Sequence, residues 1–215
     1  MTALPLQPLI SACIIPVVVI ERLEDAVPLA EALYAGGLTT LEITLRTPCA
    51  LEALATVAKA LPEANVGAGT VTTSTELAAV IDAGAQFAIA PGQSPALLAA
   101  GSQSPVPLIP GAVTPSEVMA ARDAGYRTLK FFPASVAGGA AALGAFAGPF
   151  KDVTFIPTGG INPANLSDYL KLANVVAAGG SWMLPADKIQ AQDWPALEAL
   201  AREAVSLAAT VKRGK

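Results

Sequence analysis

Short runs of β-branched and other apolar residues alternate along the chain with longer segments rich in alanine and leucine. The centres of the apolar runs recur about every 21–26 residues, the length of one strand, one turn and one helix. The predicted strands are residues 14–20, 39–46, 65–71, 86–90, 107–109, 128–133, 153–158 and 175–178. The helix-like segments include residues 23–34, 50–61, 75–83, 116–124 and 163–172, and an amphipathic segment at 194–211.

Residues that start and stop helices agree with this division of the chain. Ser74 and Thr114 are predicted N-caps, and Glu117 stands three residues after Thr114, as in a capping box. Glycines stand where helices are predicted to end before the next strand, at Gly37, Gly84 and Gly125.

The strands are almost continuously apolar, which indicates a parallel sheet covered on both faces. About eight strand–helix units predict an α/β fold of the closed (β/α)8 TIM barrel type, whereas fewer units would suit an open doubly wound sheet. No linker or composition break interrupts the pattern. We therefore expect residues 1–215 to form a single domain, with an N-terminal extension at about 1–12 and a C-terminal helix at about 194–211.

Composition excludes several classes of protein. The chain has 215 residues, of which 53% are hydrophobic and 14% charged, so it can fill a large core and is not disordered. It has no histidine, which excludes Ser-His-Asp and Cys-His catalysis and any metal site that needs imidazole. Two cysteines suffice neither for a four-cysteine zinc site nor for a disulfide framework, which favours the reducing cytoplasm.

Charge and hydropathy exclude two kinds of partner. The formal net charge is −4, and the only basic run is the short tail at 212–215, so no nucleic-acid partner is expected. The most apolar segment, residues 10–20, is shorter than the roughly 20 residues that span a bilayer. No basic residue precedes it, since the first charge is Glu21, so we expect neither a signal peptide nor a membrane partner.

Three charged side chains fall on predicted strands rather than on helices or turns. Glu42 and Arg46 share the face of the second strand that alternation directs into the barrel, and Lys130 has the same orientation on the sixth. The second and sixth strands lie on opposite sides of a narrow interior. The long side chains should therefore meet near its axis, toward the C-terminal mouth where barrel enzymes place their active sites.

These charges point to imine chemistry. A buried ion pair that only neutralises itself is the structural alternative, but desolvation costs several kcal/mol per ion. Apolar surroundings destabilise the ammonium form of a lysine, and the neutral amine can attack a ketone. Glu42 could then move protons, and the fork of Arg46 could bind a carboxylate. A small 2-keto acid would satisfy all three residues, and the sequence therefore predicts that such an acid binds at Lys130.

Glycine-rich turns follow the last two strands. Gly159-Gly160 follows the seventh strand, and Gly180-Ser181 follows the eighth. Glycines let backbone N–H groups approach an anion, and barrels often bind phosphate with these two loops. Ordinary tight turns are the alternative.

The third strand ends in a glycine-containing segment that does not match a nucleotide-binding motif. Residues 67–70 are not a dinucleotide fingerprint, because the third glycine position is occupied by Thr72. Thr70 and Thr158 could offer hydroxyls to the mouth. Nothing around Cys49 indicates a nucleophile, and we expect a structural role for it.

Five segments resemble the 2-keto-3-deoxy-6-phosphogluconate (KDPG) aldolase family. They are LEITLRT (41–47), VGAGTV (66–71), KFFPA (130–134), PTGGI (157–161) and GGSW (179–182). The resemblance runs from about residue 16 to about residue 205. It implies a homotrimeric (β/α)8 class I aldolase of the Entner–Doudoroff pathway that cleaves KDPG to pyruvate and glyceraldehyde 3-phosphate and also accepts 4-hydroxy-2-oxoglutarate (KHG). No metal or other cofactor is implied.

The resemblance also implies roles for individual residues. Lys130 corresponds to the Schiff-base lysine and Glu42 to the general acid–base. The residues implied to bind the remainder of the substrate are Arg46, Thr70 and Thr158 for pyruvate, Pro91 and Phe132 as pocket lining, and Gly159, Gly160, Gly180 and Ser181 for phosphate.

Three alternatives remain at this point. The galactonate-series aldolase is less similar, because its second strand ends in Asn-Ser where this chain has Arg46-Thr47. A phosphate-binding barrel that performs isomerisation or synthesis without an imine would share the glycine-rich loops. A ligand-binding or scaffolding barrel without catalysis would gain little from buried ionic groups.

Overall fold

Eight parallel strands follow one another around a barrel in the computed structural model, which describes residues 6–213 without the side chains of residues 10, 212 and 213. Residues 1–5 and 214–215, at the two ends of the predicted domain, lie outside the described residues. The strands are β1 Ile14–Val18, β2 Thr40–Thr44, β3 Asn65–Gly69, β4 Ala88–Ile89, β5 Leu108–Ile109, β6 Thr128–Phe131, β7 Thr154–Pro157 and β8 Ala178–Gly180.

Backbone pairing closes the sheet on itself. Six strands pair in the order β5-β4-β3-β2-β1-β8, and β6 pairs with β7. Parallel bridges join the two groups, Gly111 with Lys130 on one side and Thr158 with Gly179 on the other. The predicted (β/α)8 barrel is confirmed.

The helices surround the barrel and close its lower end. They are α1 Gln7–Ala12, α2 Ala26–Ala35, α3 Ala50–Ala60, α4 Ser74–Asp82, α5 Pro95–Ser102, α6 Pro115–Asp123, α7 Gly139–Phe146, α8 Leu166–Leu170, α9 Ala186–Gln190 and α10 Trp194–Arg213. Four of them (α1, α5, α7 and α9) lie outside the helix-like segments named from the sequence. None of the helices in residues 6–213 is long and apolar enough to cross a membrane.

Alternation along the strands produces two apolar cores. Outward side chains such as Leu41 and Ile43 of β2 pack beneath the helices. Inward side chains form a separate cluster of Leu9, Ile15, Phe87, Ile89, Ile109, Ile156 and Ala177. Because Leu9 belongs to α1, this helix seals the N-terminal end of the barrel with apolar groups.

Two capping boxes start helices that follow strands. The predicted cap Thr114 is confirmed, with Glu117 N–H donating to its hydroxyl. The prediction of Ser74 is wrong: Thr73, in extended backbone, is the cap, and Ser74 is the first helical residue. Partial burial alone would raise the pKa of Glu76 and Glu117, but hydrogen bonds from neighbouring N–H and hydroxyl groups lower both pKa values below the ordinary value.

The helix ends lie where the glycines predicted them, whereas the eighth strand lies at a different position from the predicted one. Gly37, Gly84 and Gly125 follow their helices with φ of +95°, +92° and +96°, as predicted. The eighth strand forms at Ala178–Gly180 instead of 175–178. Its register against β1, with Pro16 opposite Gly180, sets the strand despite the low strand propensity of glycine.

Candidate active site

A lysine and a carboxylate meet inside the barrel. Lys130 Nζ of β6 donates a hydrogen bond to Glu42 Oε1 of β2 at 2.9 Å, and the two side chains are 4% and 1% exposed. Lys130 is fixed at the backbone, because its N–H donates to the Pro110 carbonyl and its carbonyl accepts from the Ala112 N–H. The contact expected between the second and sixth strands is therefore formed.

Two glycines on β3 leave room inside the barrel, Gly69 for Glu42 and Gly67 for Phe87. A Cβ at Gly69 would lie 2.2 Å from Glu42 Oε1, and a Cβ at Gly67 would lie 2.5 Å from the ring of Phe87. We did not predict this role for Gly69. The available signal is that glycine occurs at two successive inward positions of a buried strand, which leaves volume for larger neighbours.

An aromatic ring and a proline lie close to the lysine. The ring centroid of Phe132 is 5.4 Å from Lys130 Nζ, a cation–π distance. Pro91 approaches from the loop after β4: a Cβ on Gly111 would lie 2.3 Å from the Pro91 carbonyl oxygen, and Gly111 bridges to Lys130. Phe132 therefore contacts the lysine directly, whereas Pro91 contacts the strand segment that pairs with it.

Arg46 and Thr70 meet at the mouth. Arg46 Nε donates to Thr70 Oγ1 at 3.2 Å, and Arg46 is exposed while Thr70 is half-buried. Thr70 has a φ of +63°, which is unusual for a β-branched residue and costs about 1–3 kcal/mol. Such conformations concentrate at ligand-binding positions, and here the backbone holds the hydroxyl against the guanidinium.

Thr158 presents a buried hydroxyl without a partner. Its Oγ1 makes no hydrogen bond within the described chain, although the residue is only 5% exposed. Its N–H donates to the Phe131 carbonyl, which places it beside the end of β6. Leaving a buried hydroxyl unpaired costs about 1–3 kcal/mol, so a polar ligand atom would be stabilised there.

The double glycine after β7 lies against the loop after β6. Gly159 and Gly160 have φ of +102° and +75°, which other residues rarely adopt. A Cβ on Gly160 would lie 2.2 Å from Ser135 Oγ. Ser135 is exposed and was not singled out by sequence, because its neighbour Gly160 is distant along the chain.

The loop after β8 stands beside the loop after β7. A parallel bridge joins Thr158 to Gly179, so the two predicted phosphate loops are adjacent. Gly180 packs against the ring of Trp182, and the exposed Ser181 lines a cavity of about 440 Å³.

The cysteines and acidic groups do not assemble into a metal site in the described chain. No set of three or more His, Cys, Asp or Glu side chains there could hold an ion. Cys49 Sγ donates to the Ile20 carbonyl at 3.3 Å, which ties the loop after β2 to the loop after β1. This contact agrees with a structural role for Cys49.

Comparison with known proteins fits this geometry. The family model described as KDPG and KHG aldolase matches residues 7–200. The chain belongs to the KDPG and KHG aldolase family. It is therefore an aldolase, a carbon–carbon lyase, and the resemblance found in the sequence is confirmed.

Individual members of the KDPG and KHG aldolase family are similar over nearly their whole length. The KHG/KDPG aldolase of Escherichia coli K12 is 54% identical over 192 residues, 89% of this chain and 90% of that protein. A crystal structure of the Legionella pneumophila KDPG aldolase, with pyruvate captured as a covalent carbinolamine, has a TM-score of 0.89 at 48% identity and covers 92% and 97% of the two chains. The Zymomonas mobilis enzyme with 3-phosphoglycerate has a TM-score of 0.86 at 44% identity, covering 91% of each chain.

Proposed function

We propose that this aldolase cleaves KDPG to pyruvate and glyceraldehyde 3-phosphate through a Schiff base on Lys130. The observation that carries the proposal is the buried contact of 2.9 Å between Lys130 Nζ and Glu42 Oε1. A nucleophilic amine with a carboxylate in hydrogen-bonding reach is the pairing that imine formation and proton transfer require. The covalent pyruvate adduct of the Legionella relative supports the same chemistry here.

The first half of the cycle forms the imine. Lys130 transfers a proton to Glu42 and attacks C2 of the keto acid, giving a carbinolamine. Loss of water, with protonation of the leaving hydroxyl, leaves the imine. Arg46 and the hydroxyl of Thr70 bind the substrate carboxylate, and Thr158 Oγ1 donates to a further oxygen of the pyruvate portion.

The second half breaks the carbon–carbon bond. Glu42 accepts the proton of the C4 hydroxyl while the electrons of the C3–C4 bond move through the protonated imine to give an enamine and a free aldehyde. Glu42 then returns the proton to C3. Water hydrolyses the imine and releases pyruvate and free Lys130. The imine provides the polarisation that a divalent ion supplies in other aldolases, so we propose that neither a metal nor an organic cofactor takes part.

The phosphate end of the substrate contributes to specificity in addition to the pyruvate end. Backbone N–H groups at Gly159, Gly160, Gly180 and Ser181 are proposed to bind the phosphate of KDPG. The shorter KHG would use the same imine and release pyruvate and glyoxylate. Arg46 is proposed as a bidentate site for the substrate carboxylate, and the pair Arg46-Thr47 at the end of β2, where the galactonate-series aldolase has Asn-Ser, favours the gluconate series.

The oligomeric state, cellular compartment and pathway are proposed from the family resemblance. The resemblance supports a single-domain homotrimer that acts in the cytoplasm, in the Entner–Doudoroff pathway, without nucleic-acid or membrane partners. Multi-angle light scattering of the full chain tests the trimer, and the mass of a monomer or dimer would contradict it.

Pyruvate release from KDPG and from its unphosphorylated counterpart tests the reaction. We expect release from both, with a large preference for KDPG, and complete loss in Lys130→Ala. Lys151→Ala, in the turn before β7, is the matched control and should retain full activity. Pyruvate release by Lys130→Ala at the control rate, or conversion of KDPG without pyruvate, would favour a barrel enzyme without an imine.

A further inference from the structure

A cavity beside the predicted phosphate loops has a wall that the mechanism above does not use. The cavity of about 440 Å³ that Ser181 lines is also lined by Val17, Arg22 and Asp25, and by Ile189 of α9. The loops after β1 and β8 form its two sides because these strands pair. Any substrate tail that reaches Ser181 therefore extends toward the loop that carries Arg22.

A buried carboxylate holds the two walls together. Asp25 is 4% exposed, and its two oxygens have different partners. Oδ2 accepts from Arg22 Nε at 2.7 Å, while Oδ1 accepts from Gln192 Nε2 at 2.8 Å. Gln192 lies just beyond α9 in a left-handed conformation with φ of +54°. The bridge therefore combines two features that cost free energy, the burial of the Asp25 carboxylate and the left-handed backbone of Gln192.

The bridge leaves most of the Arg22 guanidinium free. Arg22 binds Oδ2 of Asp25 through Nε alone, while Oδ1 accepts from Gln192, so no two-point pair is formed. Its two Nη groups have no partner within the described residues, and its side chain is 46% exposed. The hydrogen bond and charge of Asp25 raise the pKa of Arg22 above its ordinary value, and a guanidinium is charged at any working pH. Four N–H donors in a fixed fork suit a phosphate.

We propose that Arg22 binds the terminal phosphate of the substrate from the side opposite the glycine loops, and that Asp25 and Gln192 position it. The proposal rests on the proposed function and adds a specificity-determining residue to it. Glu21 lines the same cavity with a negative charge that repels an anion. Arg22 thus supplies the cation that lets a phosphate enter, and substrates without a phosphate gain nothing from it.

Steady-state kinetics of Arg22→Gln test the proposal against Arg202→Gln. Arg202 is the matched control, an exposed arginine of α10 that also pairs with an acid, Glu198. For Arg22→Gln we expect the KM for KDPG to rise about tenfold, with kcat and the KM for the unphosphorylated sugar acid changed less than about twofold. The inhibition constant of inorganic phosphate should rise in parallel. Arg202→Gln should match the wild type in all four values.

A second variant, Gln192→Ala, removes a contact that positions Asp25 but keeps the charge of Arg22. In Gln192→Ala, Asp25 loses the hydrogen bond that fixes its carboxylate, so Arg22 is held less firmly and the KM for KDPG should rise in the same direction while circular dichroism is unchanged. Equal KM values in Arg22→Gln and wild type, or an equal rise for both sugar acids, would overturn the proposal. Capture of pyruvate by borohydride in the wild type and in both variants keeps the two claims apart. An adduct in all three with an unchanged KM would refute only the role of Arg22, whereas no adduct in the wild type would refute the imine.

Discussion

Replacing Gly69 with alanine should disable the enzyme without unfolding it. The added Cβ would lie 2.2 Å from Glu42 Oε1, 2.7 Å from its Cγ and 2.8 Å from its Cδ, so the whole end of the side chain must move. Normal contact distances require a shift of about 1 Å. The Lys130–Glu42 hydrogen bond of 2.9 Å cannot survive such a shift. A misplacement of about 1 Å typically costs about 10²-fold in rate.

The expected stability change is smaller than the expected activity change. Gly69 does not have a positive φ, so alanine adds no backbone strain. Overpacking the interior costs about 1–3 kcal/mol, and the stiffer unfolded chain offsets about 0.4–1 kcal/mol of that. Pyruvate release and thermal unfolding measure the two effects, with Gly148→Ala as control because its Cβ would meet only the Ala145 carbonyl oxygen, at 3.8 Å. A kcat of folded Gly69→Ala within about threefold of the wild type would refute the geometric argument.

Three further predictions address other parts of the molecule. Thr158→Val should raise the melting temperature, because a buried unpaired hydroxyl is removed. It should also lower kcat/KM about tenfold, because the proposed donor to the pyruvate portion is lost, and an unchanged kcat/KM would exclude that contact. Glu117→Gln should destabilise the fold by about 1 kcal/mol at pH 7. Because the folded-state pKa of Glu117 is lowered, the difference from wild type in thermal unfolding should shrink as the pH falls below about 4, and a constant difference would contradict it. Prolonged treatment with EDTA should leave pyruvate release unchanged, whereas a loss restored by divalent ions would refute the metal-free cycle.

The fold was predictable because local patterns and barrel geometry agree. Apolar runs and capping residues locate the strands and several helices. The eighth strand forms at Ala178–Gly180 and not at 175–178, because pairing with β1 sets its bounds and its own strand propensity does not. Helix α7, whose sequence is GAAALGAF, has almost no polar face and therefore gives no amphipathic signal.

The site was predictable as far as alternation along single strands determines it. The inward faces of β2 and β6 identify Glu42 and Lys130 directly, since charges are rare on buried strands. The roles of Gly69, Asp25 and Gln192 depend on contacts between distant segments. Asp25 and Gln192, for example, are separated by 167 positions. No local pattern marks such a contact, and it is visible only in the folded structure.

Trapping with borohydride tests the central claim most directly. The enzyme is incubated with pyruvate, reduced, digested and mapped by mass spectrometry. We predict a single modified residue, Lys130, carrying the mass of pyruvate minus water plus two hydrogens, and no adduct on any lysine of Lys130→Ala. An unmodified Lys130 in the active wild-type enzyme, or an adduct at another lysine, would contradict the account.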